Sequence, residues 1–318
     1  MTLRFTAGGL LPPSPAAHAG TTIATPSATL RQHLAMADFL AARMAQGQAI
    51  TVQPQPSRPT TPIDLRTGIT SWPVRDQGRS MLCVGYAVGA CIELANAWAA
   101  LSPEPQPLSA GYLYWAMRQH KPSGFIENWD NGGTRFDCAV AALAEEGICP
   151  LAKCPDALGP IDPTQAAKDA AERLTCLHGA VSRVPGQPAI GDDAAYVMPH
   201  IADLAIAELQ AKRPVAMGFP VYPTQGGSTN WNDAGLDDGT LNFPLPPGSH
   251  GYVGGHAVCI VGFVPDDGGY FVFRNSQGSD FGRTHAILGV TGFGYGRISV
   301  ENTKMYCWDY FTLLPKVG

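Results

Sequence analysis

The hydrophobic rhythm of this 318-residue sequence changes once, near Pro214, and that change narrows the folds open to it. Upstream, apolar residues recur every three or four positions. Residues 83–100 (CVGYAVGACIELANAWAA) form the strongest such run; residues 134–146, a stretch opening at Asp162-Pro163, and residues 201–212 form three more. Thr134-x-x-Asp137 reads as a capping box, Gly147 as a helix stop, and Pro163 as a first helical residue. Downstream, residues 215–221, 257–264, 270–274 and 296–300 are short, apolar and rich in β-branched or aromatic side chains, with Gly, Pro and Asp clusters between them. Helices first and strands later predict an α+β protein with a helical half and a sheet-rich half.

Two segments stand outside this pattern. Residues 1–62 are rich in Pro, Thr, Ala and Gln. They hold one amphipathic helix over 27–46, with Leu30, Leu34, Ala37, Ala41 and Met44 on one face, and an extended linker over 51–62. Residues 223–252 read as a long polar loop, of a length seldom found without a function. The boundaries are therefore 1–62 for an N-terminal tail or short propeptide-like segment, 63–200 for a mainly helical domain and 201–318 for a mainly β domain. Net charge is −5 and no Lys/Arg cluster stands out, which argues against nucleic acid as a partner. No run of about 18 apolar residues predicts a membrane span. The first twenty residues lack the apolar stretch of a cleaved signal peptide, so the expected location is the cytoplasm, or export without one. Eight cysteines in a chain of this kind do not require disulfides. Cys149, Cys154, Cys176 and His178 are spaced too loosely for a zinc site and read as isolated thiols or one disulfide. Asp237-Asp238-Gly239 and Asp266-Asp267-Gly268 read as turns, and 292–296 (GFGYG) as a bend near the cleft.

Three stretches carry chemistry: DQGRSMLC (76–83), GGHAV (254–258) and RNSQG (274–278). Cys83 opens a helix, where the positive end of the helix dipole favours thiolate. His256 can take the thiol proton, and the Asn275 carbonyl can accept from the other ring nitrogen and orient it. The Gln77 amide and the Cys83 backbone N–H can stabilise a tetrahedral oxyanion. Together they supply a complete acyl-transfer set. Cys91, eight residues along the same helix, reads as a buried hydrophobe.

These stretches resemble the papain-like cysteine protease family, most closely its bacterial members, over roughly residues 63–314. The resemblance implies a two-domain fold, a helical domain beside a β-barrel-like domain, with the active-site cleft between them. It implies catalytic roles for Cys83, His256, Asn275 and Gln77, and no cofactor. Leu108-Ser109 matches the start of the family's second helix, and Asn131-Gly132-Gly133 the strip that holds substrate backbone; Gly255 and Met217 would line the same cleft. The Pro-rich stretch 244–248 before Gly-Gly-His also fits. The chain departs from the pattern at Ser80 and Asp130, where the family often has a paired cysteine, at Val84, and at Gln277, where a tryptophan usually shields the His–Asn hydrogen bond. The expected activity is endopeptidase cleavage of a peptide or protein substrate through a Cys83 acyl-enzyme, with the N-terminal segment a candidate intramolecular inhibitor. Two alternatives share the residues: transglutaminase, deamidase or ligase-type acyl transfer, and a degenerate domain that only binds peptides or proteins.

Overall fold

The computed structural model describes residues 58–100, 104–120, 132–156, 162–174, 176–180, 201–243, 253–282, 286–288, 290–291, 293–307 and 309–313. The expected helix at 27–46, Asn131 and the Pro-rich stretch at 244–248 lie outside them.

After a short strand β1 (Ile63–Asp64), the chain enters α1 (Cys83–Ala99). Every residue from Cys83 to Leu94 is buried, the pattern of a helix enclosed by core rather than laid on a surface. A Cβ at Gly85 would lie 2.6 Å from the Ala110 carbonyl oxygen, so only glycine lets the next helix cross this closely. That helix, α2 (Ala110–Gln119), starts where the Ser109 hydroxyl accepts the Tyr112 N–H at 2.9 Å. α3 (Phe136–Glu145) follows without the expected capping box. Thr134 lies one residue too early to cap it, and Asp137 is engaged by the Arg135 guanidinium and the Cys138 N–H. Gly147, at φ +80°, ends the helix as its position predicts. α4 (Gln165–Asp169) begins two residues after Pro163, because Thr164 supplies the cap.

The remaining elements are β2 (Cys176–Ala180), α5 (Ile201–Gln210), β3 (Val215–Val221), α6 (Asn230–Leu236), β4 (Gly254–Val264), β5 (Tyr270–Arg274), β6 (Ala286–Ile287), β7 (Val290–Thr291), β8 (Tyr295–Ser299), α7 (Val300–Tyr306) and β9 (Asp309–Leu313). The main sheet is antiparallel, in the order β2-β9-β3-β4-β5-β8, with β1 added at the far end of β4. β6 and β7 form a separate hairpin. The sheet is open, with β2 and β8 at its edges, and this corrects the barrel-like closure expected for the β half. It has no need to close: α1 packs against β4 and β3, and all seven residues of β3 are buried. Strands covered on both faces read as continuous apolar runs, which is why β3 and β4 are prominent in the sequence. Pro220 is tolerated in β3 because β9 pairs only with residues 215–218 and leaves that side of Pro220 without a ladder partner. One continuous core joins α1–α3 to the sheet. Among the described residues no helix is long and apolar enough to cross a membrane.

Residues 223–252 are not simply a loop. Within them, 225–227 make a 3₁₀ turn and 230–236 make α6, capped by Thr229.

Candidate active site

The site is assembled from three places in the fold: the start of α1, the start of β4, and the chain leaving β5. Cys83 is the first residue of α1. It is wholly buried against β4, and burial pushes its thiol up to about 12. The backbone N–H groups of Ala257, Val84 and Cys83 itself pull the other way, and the charge of Asp309 adds to the rise. The Ala257 contact sets the sulfur beside the residue that follows His256.

His256 is the third residue of β4 and pairs across the sheet with Phe219. Its Nε2 lies 2.8 Å from Asn275 Oδ1. The Ser276 N–H donates to the same oxygen at 2.8 Å. Two donors converging on Oδ1 fix the amide orientation and the imidazole tautomer: Nε2 carries the proton, and Nδ1 is the ring atom that can accept one. Asn275 is itself held by its N–H, which donates at 2.9 Å to the carbonyl of Gly294, the residue just before β8. Burial lowers the His256 pKa from 6.5 to about 4, against the opposing pull of Asn275.

Gln77 is buried and its amide is oriented at both ends. Nε2 donates to the Ser80 carbonyl at 2.8 Å, and Oε1 accepts the Ser276 hydroxyl at 2.6 Å. The Gln77 N–H also donates to the Ser276 carbonyl at 2.8 Å, and Asp76 bridges to Gln277. Segments 75–78 and 276–278 thus form a small antiparallel seam that ties Gln77 to Asn275.

The other sequence candidates are more dispersed. The Gly132 carbonyl accepts the Tyr114 hydroxyl at 2.9 Å, and Gly133 is buried beside it. Gly255 pairs with Pro220 at the start of β4. Met217 is wholly buried in β3, between Val258 and Tyr310 of the neighbouring strands. All eight cysteines are free thiols, and Cys91 is a buried core residue whose sulfur lies 3.4 Å from that of Cys259. A cavity of about 710 Å³ lies away from Cys83, lined by Tyr222, Asn230, Asp233, Asp238, Thr240 and Phe243. Among the described residues, the one cluster spaced for a metal is His120, Glu145 and Glu146, where His120 Nε2 and Glu146 Oε2 already pair at 2.6 Å.

The sequence reading missed two residues. Trp231 of α6 is wholly buried, with its ring centroid 4.6 Å from that of His256. Asp309 of β9, wholly buried, pairs with Gly218. Trp231 sits in a run of Asn, Asp, Gly and Thr that reads as turns, and a lone Asp opening a short strand carries no signal.

No protein-family model and no curated protein matches this sequence. Solved structures do match. Xylellain, a cysteine protease from Xylella fastidiosa, superposes with a TM-score of 0.60 at 21% identity, covering 98% of this chain and 97% of its own. The fold is that of the papain-like cysteine proteases. Digestive procathepsin L2 proteinase from the larval midgut of Tenebrio molitor shares this papain-like fold at a TM-score of 0.57 and 18% identity, covering 97% of this chain and 78% of its own. The Amb a 11 cysteine protease of ragweed pollen, in its proform, does so at 0.52 and 17%, covering 83% of this chain and 67% of its own.

The depressed His256 pKa has a consequence for stability. The folded state holds the imidazole neutral, while the unfolded chain protonates it near pH 6.5. Stability from this group is therefore complete above about pH 6.5 and is lost as pH falls towards 4, a change on the order of 3 kcal/mol. Urea midpoints of the wild type should fall more steeply between pH 6.5 and 4 than those of His256→Asn. Parallel curves would contradict the burial of a neutral ring.

Proposed function

We propose that the protein is a cysteine peptidase that hydrolyses peptide bonds through an acyl-enzyme on Cys83. The observation that carries this is the His256–Asn275 hydrogen bond, set beside the nucleophile helix and tied through Ser276 to Gln77. The pKa directions favour a resting pair of neutral thiol and neutral imidazole. The Cys83 proton then passes to His256 Nδ1 as sulfur attacks the peptide carbonyl. The oxyanion accepts hydrogen bonds from the Cys83 N–H and the second Gln77 Nε2–H. As the C–N bond breaks, His256 returns the proton to the departing amine and a thioester remains. Water, deprotonated by the same nitrogen, attacks the thioester, releases the carboxylic acid and restores the thiol. No cofactor enters this sequence.

The substrate class is peptide or protein, held along Asn131, Gly132, Gly133 and Gly255, with Met217 buried in β3 between Val258 and Tyr310. The halves are 63–200, which brings the nucleophile, and 201–318, which brings the base and its orienter. Two of the structures named above are proforms, which is consistent with residues 1–62 as a candidate intramolecular inhibitor, the other reading being an N-terminal tail. A mixed peptide library digested with the full chain under reducing conditions tests the activity by mass spectrometry. Hydrolysis gives product pairs that sum to substrate plus one water. Incorporation of an added amine would replace hydrolysis with transfer, and an unchanged library with retained peptides would leave only a binding module.

A further inference from the structure

The ring against His256 comes from an unexpected place. α6 is only seven residues long, yet it is tied down on every side. Asn230 Oδ1 accepts the Tyr222 N–H at 2.9 Å, and Asn230 Nδ2 donates to the Asn242 carbonyl at 3.0 Å. The Trp231 indole N–H donates to the Pro220 carbonyl at 3.1 Å, one residue from Phe219, the cross-strand partner of His256. The indole therefore cannot swing away without breaking a buried hydrogen bond. It meets the imidazole at 74°, and its centroid lies 5.7 Å from that of Phe273 and 6.5 Å from that of Phe219. His256, 1% exposed, thus meets aromatic carbon on one side while its Nε2 ties to Asn275 Oδ1. Gln277, next but one to Asn275, brings no ring to that bond and uses its backbone to pair with Asp76.

We propose that Trp231 is the positioning residue of the His256 imidazole, holding the ring where Nε2 meets Asn275 Oδ1 and keeping water from that bond in place of the ring that position 277 lacks. This rests on His256 as the base of the proposed peptidase. Physically, a hydrogen bond that competes with water loses both strength and direction. A base tilted by even a fraction of an ångström transfers protons slowly, since a misplacement of 1 Å can cost about 10²-fold in rate.

The test compares Trp231→Leu and Trp231→Phe with the wild type. One readout is NMR titration and solvent exchange of the His256 ring protons. It is repeated in a Cys83→Ala background, because Cys83 contacts the backbone of Ala257, the residue next to His256, and is the nearby thiol whose titration has to be removed. The leucine variant is expected to move the His256 titration up from about 4 towards 6.5, to speed Nε2–H exchange, and to lower kcat by about 10–100-fold with KM within about twofold. The phenylalanine variant should recover most of kcat and keep the titration low. Unchanged titration, exchange and kcat in the leucine variant would reduce Trp231 to core packing. Should that variant not fold, the phenylalanine variant decides. Loss of the Pro220 bond alone should speed Nε2–H exchange measurably, and wild-type exchange there would overturn the proposal. If wild-type protein cleaves nothing while His256 still responds to Trp231, the peptidase reading fails and the positioning stands.

Discussion

Replacing Cys83 by alanine is expected to lower peptide cleavage by about 10³-fold or more while leaving the fold intact. The residue is wholly buried, and the change removes a single sulfur from the first turn of α1 without touching a side chain that caps or crosses it. What it removes chemically is the only atom of the set that can form the acyl-enzyme. His256→Ala should cost a similar factor, because an unassisted thiol whose pKa is pushed up to about 12 is almost wholly protonated at neutral pH. The two losses should not add. A nucleophile and its base act as one unit, so the double variant should sit within a few-fold of either single one, with residual activity supplied by the Gln77 amide and binding. Initial rates on the best library peptide, with thermal melts of all three variants as a control for folding, decide the matter. A Cys83→Ala protein that keeps a tenth of wild-type activity would remove Cys83 from the mechanism, and additive losses would mean that His256 acts elsewhere.

The parts of this site that were legible from sequence are those where local pattern and chemistry coincide. Cys83 could be placed at a helix start because the apolar run begins there, and His256 in a strand because residues 257–264 are apolar and β-branched. Gly147 as a stop follows from local stereochemistry alone, and the helix start at Ser109 from the family resemblance, and both are found. The order Gln77, Cys83, His256, Asn275 pointed to an acyl-transfer set, and the structure brings Gln77 and Asn275 to a common contact at Ser276.

What was not legible depends on contacts distant in sequence. α6 has one large apolar residue facing the core, too few for a helical period, and its Asn, Asp and Gly residues argue for turns. Its stability comes from Tyr222, Asn242 and Pro220, which no local rule connects to it. The Thr134–Asp137 pattern misled for the converse reason: a nearby Arg135 claims Asp137 and removes it from the cap. Closure of the sheet was likewise a global property, decided by how α1 covers β3 and β4 rather than by any strand's own sequence. The aromatic neighbour of His256 was missed because the sequence reading looked for a ring at position 277, whereas the fold delivers one from residue 231.

The largest stability effect should come from a residue that the sequence reading passed over. Glu93 is a charged side chain in the middle of the apolar α1, 2% exposed. Its Oε1 accepts Arg75 Nη2 at 2.9 Å and the Leu108 N–H at 2.8 Å, and its Oε2 accepts the Trp72 indole N–H at 2.8 Å. Arg75 continues to the Leu108 carbonyl and to Asp156, whose other oxygen receives the Gly111 N–H at the start of α2. From the opposite side, Arg274 donates to the carbonyls of Trp72 and Pro73 and lies 3.9 Å over the Trp72 ring. The strap 72–77 is thus clamped between α1 and β5, and Gln77 stands at its end. Glu93→Ala leaves a guanidinium short of one partner and two half-buried N–H groups, of Trp72 and Leu108, without theirs. Breaking a buried pair from one side costs about 3–5 kcal/mol, enough to lower the melting temperature of a domain this size by roughly 10 °C. Glu93→Gln keeps an acceptor for one or two of the donors and should lose about half as much. Because the strap carries Gln77, kcat in the surviving folded protein should fall with little change in KM, and this separates a loosened oxyanion donor from mere loss of folded enzyme. A Glu93→Ala protein within about 1 kcal/mol of wild type by urea titration would show that Arg274, the Arg75–Asp156 pair and the 276–278 seam hold the strap without Glu93.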